Sequence, residues 1–112
     1  MRIEVLYFDG CPNHERVVAR LRELLNAAGV KDPIVELRIE DEDAAVRSRF
    51  LGSPSVRIDG RDIEPGADAR ADFGLKCRLF ATPTGLRGVP ADRWVQAAIG
   101  RAGAGPAPPS SR

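Results

Sequence analysis

Histidine occurs once in this chain and cysteine only twice, among 112 residues. So small a supply of soft and imidazole ligands argues against a closed structural zinc site, which needs four. Cys11 and His14 have the Cys-x-x-His spacing of one tight pair, but Cys77 stands alone and no second pair completes them. Long hydrophobic runs are absent too: none approaches the roughly 18–20 residues that cross a bilayer. Met1-Arg2-Ile3-Glu4 puts an acid inside the first strand, and a signal-peptide core and cleavage site are lacking. The expectation is a cytoplasmic protein with no membrane partner. An excess of either charge is also missing, with 17 basic and 16 acidic residues and a formal net charge of +1. That balance offers no field to attract nucleic acid or an anionic surface. Two cysteines in a small cytosolic chain fit thiol chemistry, metal binding or packing better than a structural disulfide. Nothing in the composition calls for a cofactor, and no internal repeat divides the chain.

What is present reads as one domain over residues 1–101 followed by a Gly-, Ala-, Pro- and Ser-rich tail, 102–112, without apolar period and expected to be disordered. Ile3, Val5, Leu6, Tyr7 and Phe8 form a β-branched and aromatic run that predicts a buried strand, broken by Asp9-Gly10. A helix fits 12–28, with Pro12 suited to its first position and Val17, Leu21, Leu24 and Ala28 in one stripe. Residues 34–39 alternate as a second strand. Residues 40–51 place acids before bases, the order a helix dipole favours, with Val46, Phe50 and Leu51 as the apolar face. Ser55–Ile58 and Arg61–Ile63 flank Asp59-Gly60, a strong hairpin signal. Residues 64–90 read as a long, partly ordered connection. A last helix over 91–101 turns Trp94, Val95, Ala98 and Ile99 inward. The order β-α-β-α-β-β-α predicts an α/β fold: a mixed sheet with helices on both faces.

The chemistry concentrates in Tyr7–Leu21, "YFDGCPNHERVVARL". Cys11 falls where a strand gives way to a helix, and a helix N-terminus stabilises a thiolate through unpaired N–H groups and the dipole. His14, one turn on, is placed to favour the thiolate as imidazolium or to act as a base when neutral. Asp9 either shapes the Asp-Gly turn or supplies a proton. Cys77 lies between Lys76 and Arg78, two cations that would favour its thiolate; a small buried hydrophobe is the equally good alternative.

The element order, with a thiol after the first strand and a proline entering the third, resembles the thioredoxin fold. Cys11-Pro12-Asn13-His14 is similar to the Cys-Pro-x-Cys site of glutaredoxins, with His14 in place of the last cysteine. Gly52-Ser53-Pro54-Ser55 resembles the loop that carries a cis-proline opposite the active cysteine in such proteins. The resemblance implies a cis Pro54, against the commoner trans turn, and a Ser53 backbone that pairs with an extended thiol substrate. The blocks "LYFDGCPNH", "FLGSPSVRIDGRDIEP" and "CRLF" resemble a group of small bacterial thioredoxin-like proteins, some with selenocysteine at the position of Cys11. Members of that group often carry the label alkylmercury lyase. A lyase reading implies Cys11 and Cys77 as the mercury-holding thiolates, with Asp9 or Glu15 replacing an aspartate where His14 stands.

Three functions follow as expectations. In the first, a thiol-disulfide oxidoreductase uses Cys11 as nucleophile, His14 to tune or protonate, Ser53 and Pro54 to dock substrate, and Cys77 or a small external thiol to resolve. The second is a soft-metal or organomercurial protein that binds through Cys11 and Cys77. The third is an interaction module with an inert Cys11. The partners of the first are thiols or disulfides; the oligomeric state is left open by the sequence.

Overall fold

β-Branched and aromatic side chains at the start of the chain make β1 (Ile3–Tyr7) an inner strand of the sheet. The computed structural model describes residues 1–104. β1 pairs in parallel with β2 (Ile34–Arg38) and antiparallel with β3 (Ser55–Ile58), which continues through a hairpin into β4 (Arg61–Asp62). The strand order is β2-β1-β3-β4. Asp59 and Gly60 both have positive φ, 53° and 83°, as the tight hairpin turn requires.

Alternation along β1 divides the core. Ile3 and Val5 pack with Val56 and Ile58 of β3 against α1 (His14–Ala27) and α3 (Asp92–Ala104). Leu6 points the other way, into a smaller cluster with Ile39, Ala45 and Phe50 beside α2 (Glu42–Arg47). Helices therefore cover both faces, and the described residues form a mixed α/β protein with a four-stranded mixed sheet and three helices.

Several boundaries differ from expectation. α1 starts at His14; Pro12 and Asn13 form a turn ahead of it. α2 keeps only six residues, capped by Asp41, whose Oδ1 accepts the Ala44 N–H at 2.8 Å. It stops because Arg49 takes a left-handed φ of 55° and the Phe50 N–H returns to the Ala45 carbonyl. Phe50 and Leu51 are buried from the turn beyond the helix, while Val46 is exposed and Ala45 faces the core. α3 reaches Ala104, three residues past the expected domain end at 101. Residues 105–112, the rest of the expected tail, lie outside the described residues.

The largest correction concerns residues 64–90. That connection holds a single 3-10 turn (Ala67–Ala69) and a separate hairpin of β5 (Phe80–Thr82) and β6 (Gly85–Arg87). Two three-residue strands around Pro83 are too short to show alternation, so the hairpin left no period to read. Phe80 anchors it, fully buried against Trp94 with ring centroids 6.3 Å apart. Among the described residues no helix is long and apolar enough to cross a membrane.

Candidate functional site

Cys11 sits in the loop between β1 and α1, half-buried, as a free thiol. Gly10, at φ 88°, turns the chain after the exposed Asp9. The Cys11 N–H donates to the Phe8 carbonyl at 3.3 Å, and its own carbonyl accepts the His14 N–H at 3.5 Å. Cys11 thus opens the turn that winds into α1. Asn13 occupies the N-cap without making a side-chain cap, and its amide instead packs on Gly88, where a Cβ would lie 2.2 Å from Nδ2.

His14 is the first residue of α1. Its ring stacks on Tyr7 at the end of β1, with centroids 3.7 Å apart and planes 9° from parallel. Its Nε2 lies 2.6 Å from Glu36 Oε1 on β2. A carboxylate accepts only, so Nε2 carries a proton and donates it. Glu36 was missed in the sequence because it reads as an ordinary outward residue of an alternating strand. The parallel β1–β2 register, Val5 opposite Glu36 and Tyr7 opposite Arg38, brings it to the imidazole. Asp9 is likewise engaged, its carboxylate 2.9 Å from Arg38 Nε. Glu15 is exposed on α1.

The Ser53–Pro54 peptide bond is cis, and both residues are buried. The Ser53 hydroxyl accepts the Phe8 N–H at 3.3 Å, which ties this loop to the one bearing Cys11. The Ser53 backbone is already paired: its N–H donates to Lys76 O at 2.8 Å, and its carbonyl accepts the Arg78 N–H at 2.9 Å. These bonds form a parallel bridge between Ser53 and Cys77. The bridge sets the Cys77 backbone beside Ser53, with Cys77 exposed and Ser53 buried. The approach is close enough to demand Gly52, at φ 124°; a Cβ there would sit 2.9 Å from Arg78 Cβ and 3.0 Å from Lys76 O.

Arg78 holds this segment down. Its fully buried guanidinium donates to Asp62 Oδ2 and Oδ1 at 2.6 and 2.9 Å, to Glu64 Oε1 at 2.8 Å and to Ser55 Oγ at 2.9 Å. It also lies over the Phe80 ring, 4.3 Å from its centroid. Lys76 pairs with Asp72 at 2.8 Å. The two cations expected to favour a Cys77 thiolate are therefore spent on carboxylates, and Cys77 is exposed where burial was the other expectation.

The tertiary structure links three of the predicted residues by a short chain of contacts: Cys11 to Phe8, Phe8 to Ser53, Ser53 to Cys77. His14 belongs to a neighbouring pair with Glu36. A cavity of about 370 Å³ lies elsewhere, along β4 and α3, lined by Arg57, Asp62, Glu64, Phe73 and Trp94 and by none of these residues. Among the described residues no group of three or more His, Cys, Asp or Glu side chains is placed to hold a metal ion. Comparison with protein-family models, curated proteins and solved structures finds no match for this chain.

Proposed function

We propose that this is a thioredoxin-like thiol protein, a thiol-disulfide oxidoreductase in which Cys11 is the nucleophile and Cys77 the second thiol. The observation that carries the reading is the bridge between Ser53 and Cys77, which brings a second free thiol to the loop tied through Phe8 to Cys11. The sheet order β2-β1-β3-β4, with α1 and α3 on one face and α2 on the other, and the cis bond before Pro54 agree with the resemblance drawn from the sequence. A thiolate at Cys11 attacks one sulfur of a disulfide RS–SR, forms the mixed disulfide and releases RS⁻. The Cys77 thiolate then attacks the Cys11 sulfur, forming Cys11–Cys77 and releasing the second RS⁻. Two protein thiols are oxidised and one disulfide is reduced; two molecules of a small external thiol, leaving as their disulfide, return the protein to its dithiol state. His14, held by Glu36, acts as a fixed polar group at the start of α1, not as a base on the sulfur.

Alkylation by iodoacetamide at neutral pH, mapped by mass spectrometry, tests the nucleophile. Cys11 is expected to react about tenfold or more faster than N-acetylcysteine. A rate no faster than that model thiol sinks the proposal. Diamide should then yield an intramolecular Cys11–Cys77 disulfide, absent from Cys77→Ser.

Two thiols without a third ligand also suit a linear soft ion such as Hg²⁺, which is the second reading. It predicts one ion per monomer, lost in either single cysteine variant. Carbon–mercury cleavage is less well supported, because Asp9, the carboxylate nearest Cys11 in sequence, is paired with Arg38.

A further inference from the structure

An extended polypeptide that approached Cys11 beside the Ser53–Pro54 loop would bind by adding its backbone to the open N–H and C=O groups there. In this protein those groups are not open. The Ser53 N–H and carbonyl are both satisfied by Lys76 and Arg78 of the same chain, at 2.8 and 2.9 Å. The occupying segment, Gly74–Arg78, is fastened along its length. The Gly74 N–H donates to Phe50 O at 3.0 Å, and the Leu75 N–H reaches the Glu42 carboxylate at 3.3 Å. Arg78 is locked by Asp62, Glu64 and Ser55. Displacing the segment would strip a buried guanidinium of its partners, which a peptide docking through two backbone bonds does not repay. Gly52 has the conformation and the missing Cβ that let the segment lie this close.

We infer that the Lys76–Arg78 segment acts as a built-in occupant of the Ser53 edge and limits Cys11 to small, non-polypeptide disulfides; Gly52 and Arg78 are the residues that set this specificity. This rests on Cys11 being the nucleophile proposed above. The chemical step is the exchange already balanced there: the Cys11 thiolate forms one S–S bond, the small disulfide loses one, and a low-molecular-weight thiolate leaves.

The test compares two disulfides of matched leaving group. One is bis(2-hydroxyethyl) disulfide; the other is a short extended peptide whose central cysteine is capped by 2-mercaptoethanol. Mixed-disulfide formation at Cys11 of the full chain is measured with each, divided by the rate of N-acetylcysteine with the same compound. The expected result is a normalised preference for the small disulfide of at least about tenfold. In folded Gly52→Ala, where the new Cβ pushes the segment off Ser53, that preference should shrink. Equal normalised rates in the native chain overturn the inference and leave the nucleophile standing. A folded Gly52→Ala protein with an undiminished preference overturns the role given to the segment. If Cys11 reacts with neither compound faster than N-acetylcysteine, the nucleophile reading and this inference fall together.

Discussion

Arg78 shows how one side chain can hold a long connection in place. Burying a guanidinium is costly unless its donors are satisfied, and here Nη1 and Nη2 donate twice to Asp62 and once each to Glu64 and Ser55, while Nε has no partner among the described residues. Removing only the cation leaves Asp62 with the Glu64 N–H, and Glu64 with the longer contacts from Arg70 and the Ala81 N–H, as their remaining hydrogen-bond partners. Arg78→Met is therefore expected to lose about 3–5 kcal/mol of unfolding free energy, read from urea denaturation. A loss below about 1 kcal/mol would mean the cluster relaxes into solvent and does not lock the segment. At the opposite edge of the sheet, the Glu36–His14–Tyr7 group holds a polar ring at the start of α1 by a hydrogen bond on one side and stacking on another. Neither group is visible in the sequence, where Arg78 reads as a cation beside the Cys77 thiol and Glu36 as a charged residue of an outward strand face.

Among the elements, α2 depends most on its ends. Six residues are too few to persist on intrinsic propensity, so Asp41 at the start and the half-buried Arg57 at the finish matter. Arg57 donates to the Ser48 and Arg49 carbonyls at 2.6 and 3.0 Å, just past the last helical residue. Its burial lowers its pKa from the ordinary arginine value, against the nearby charge of Asp62. Asp41→Ala removes the acceptor of the Ala44 N–H and should cost about 1 kcal/mol in a chemical-denaturation comparison. A value near zero would show that the Phe50–Ala45 closure alone maintains the turn. β1, β2, β3 and α1 are readable because their apolar runs or periods are long enough to count. α2 was over-read, since apolar residues at 50 and 51 continued the pattern although the chain had already left the helix. The β5–β6 hairpin was under-read for the opposite reason: three residues do not make a period.

At the scale of the whole molecule, ion pairs, one local at Asp72 and one between α1 and α3 at Asp92, add stability that pH should reveal. Asp72 is held below its ordinary carboxylate range by hydrogen bonds from Arg70 and then Lys76. Asp92 is lowered by its hydrogen bond from Arg20, which joins α1 to α3. Each carboxyl is a stronger acid folded than unfolded, so each contributes stability above the unfolded pKa of about 4. That contribution is lost as pH falls through the lower folded values. The urea midpoint should therefore be level from neutrality to about pH 5 and decline below about pH 4. Because both carboxylates are largely solvent-accessible, salt should flatten the decline. A midpoint that rises on acidification would contradict the assignment.

Local features followed from neighbouring residues alone. Side-chain period, the Asp59-Gly60 turn chemistry and the break at Asp9-Gly10 depend on sterics and hydrophobic burial within a few residues. They placed Cys11 between a strand and a helix, made the sheet mixed and put helices on both its faces. Which backbone meets Ser53 was decided only by the tertiary structure. That choice depends on Arg78 finding Asp62 and Glu64, on Gly52 lacking a Cβ, and on a loop closing over residues far apart in sequence. The same holds for His14, whose partner sits on the next strand by virtue of a parallel register. A thiol at a helix start can be read along the chain, but which groups around it remain open depends on long-range pairing of buried polar groups, and here that pairing brought Cys77 to Ser53.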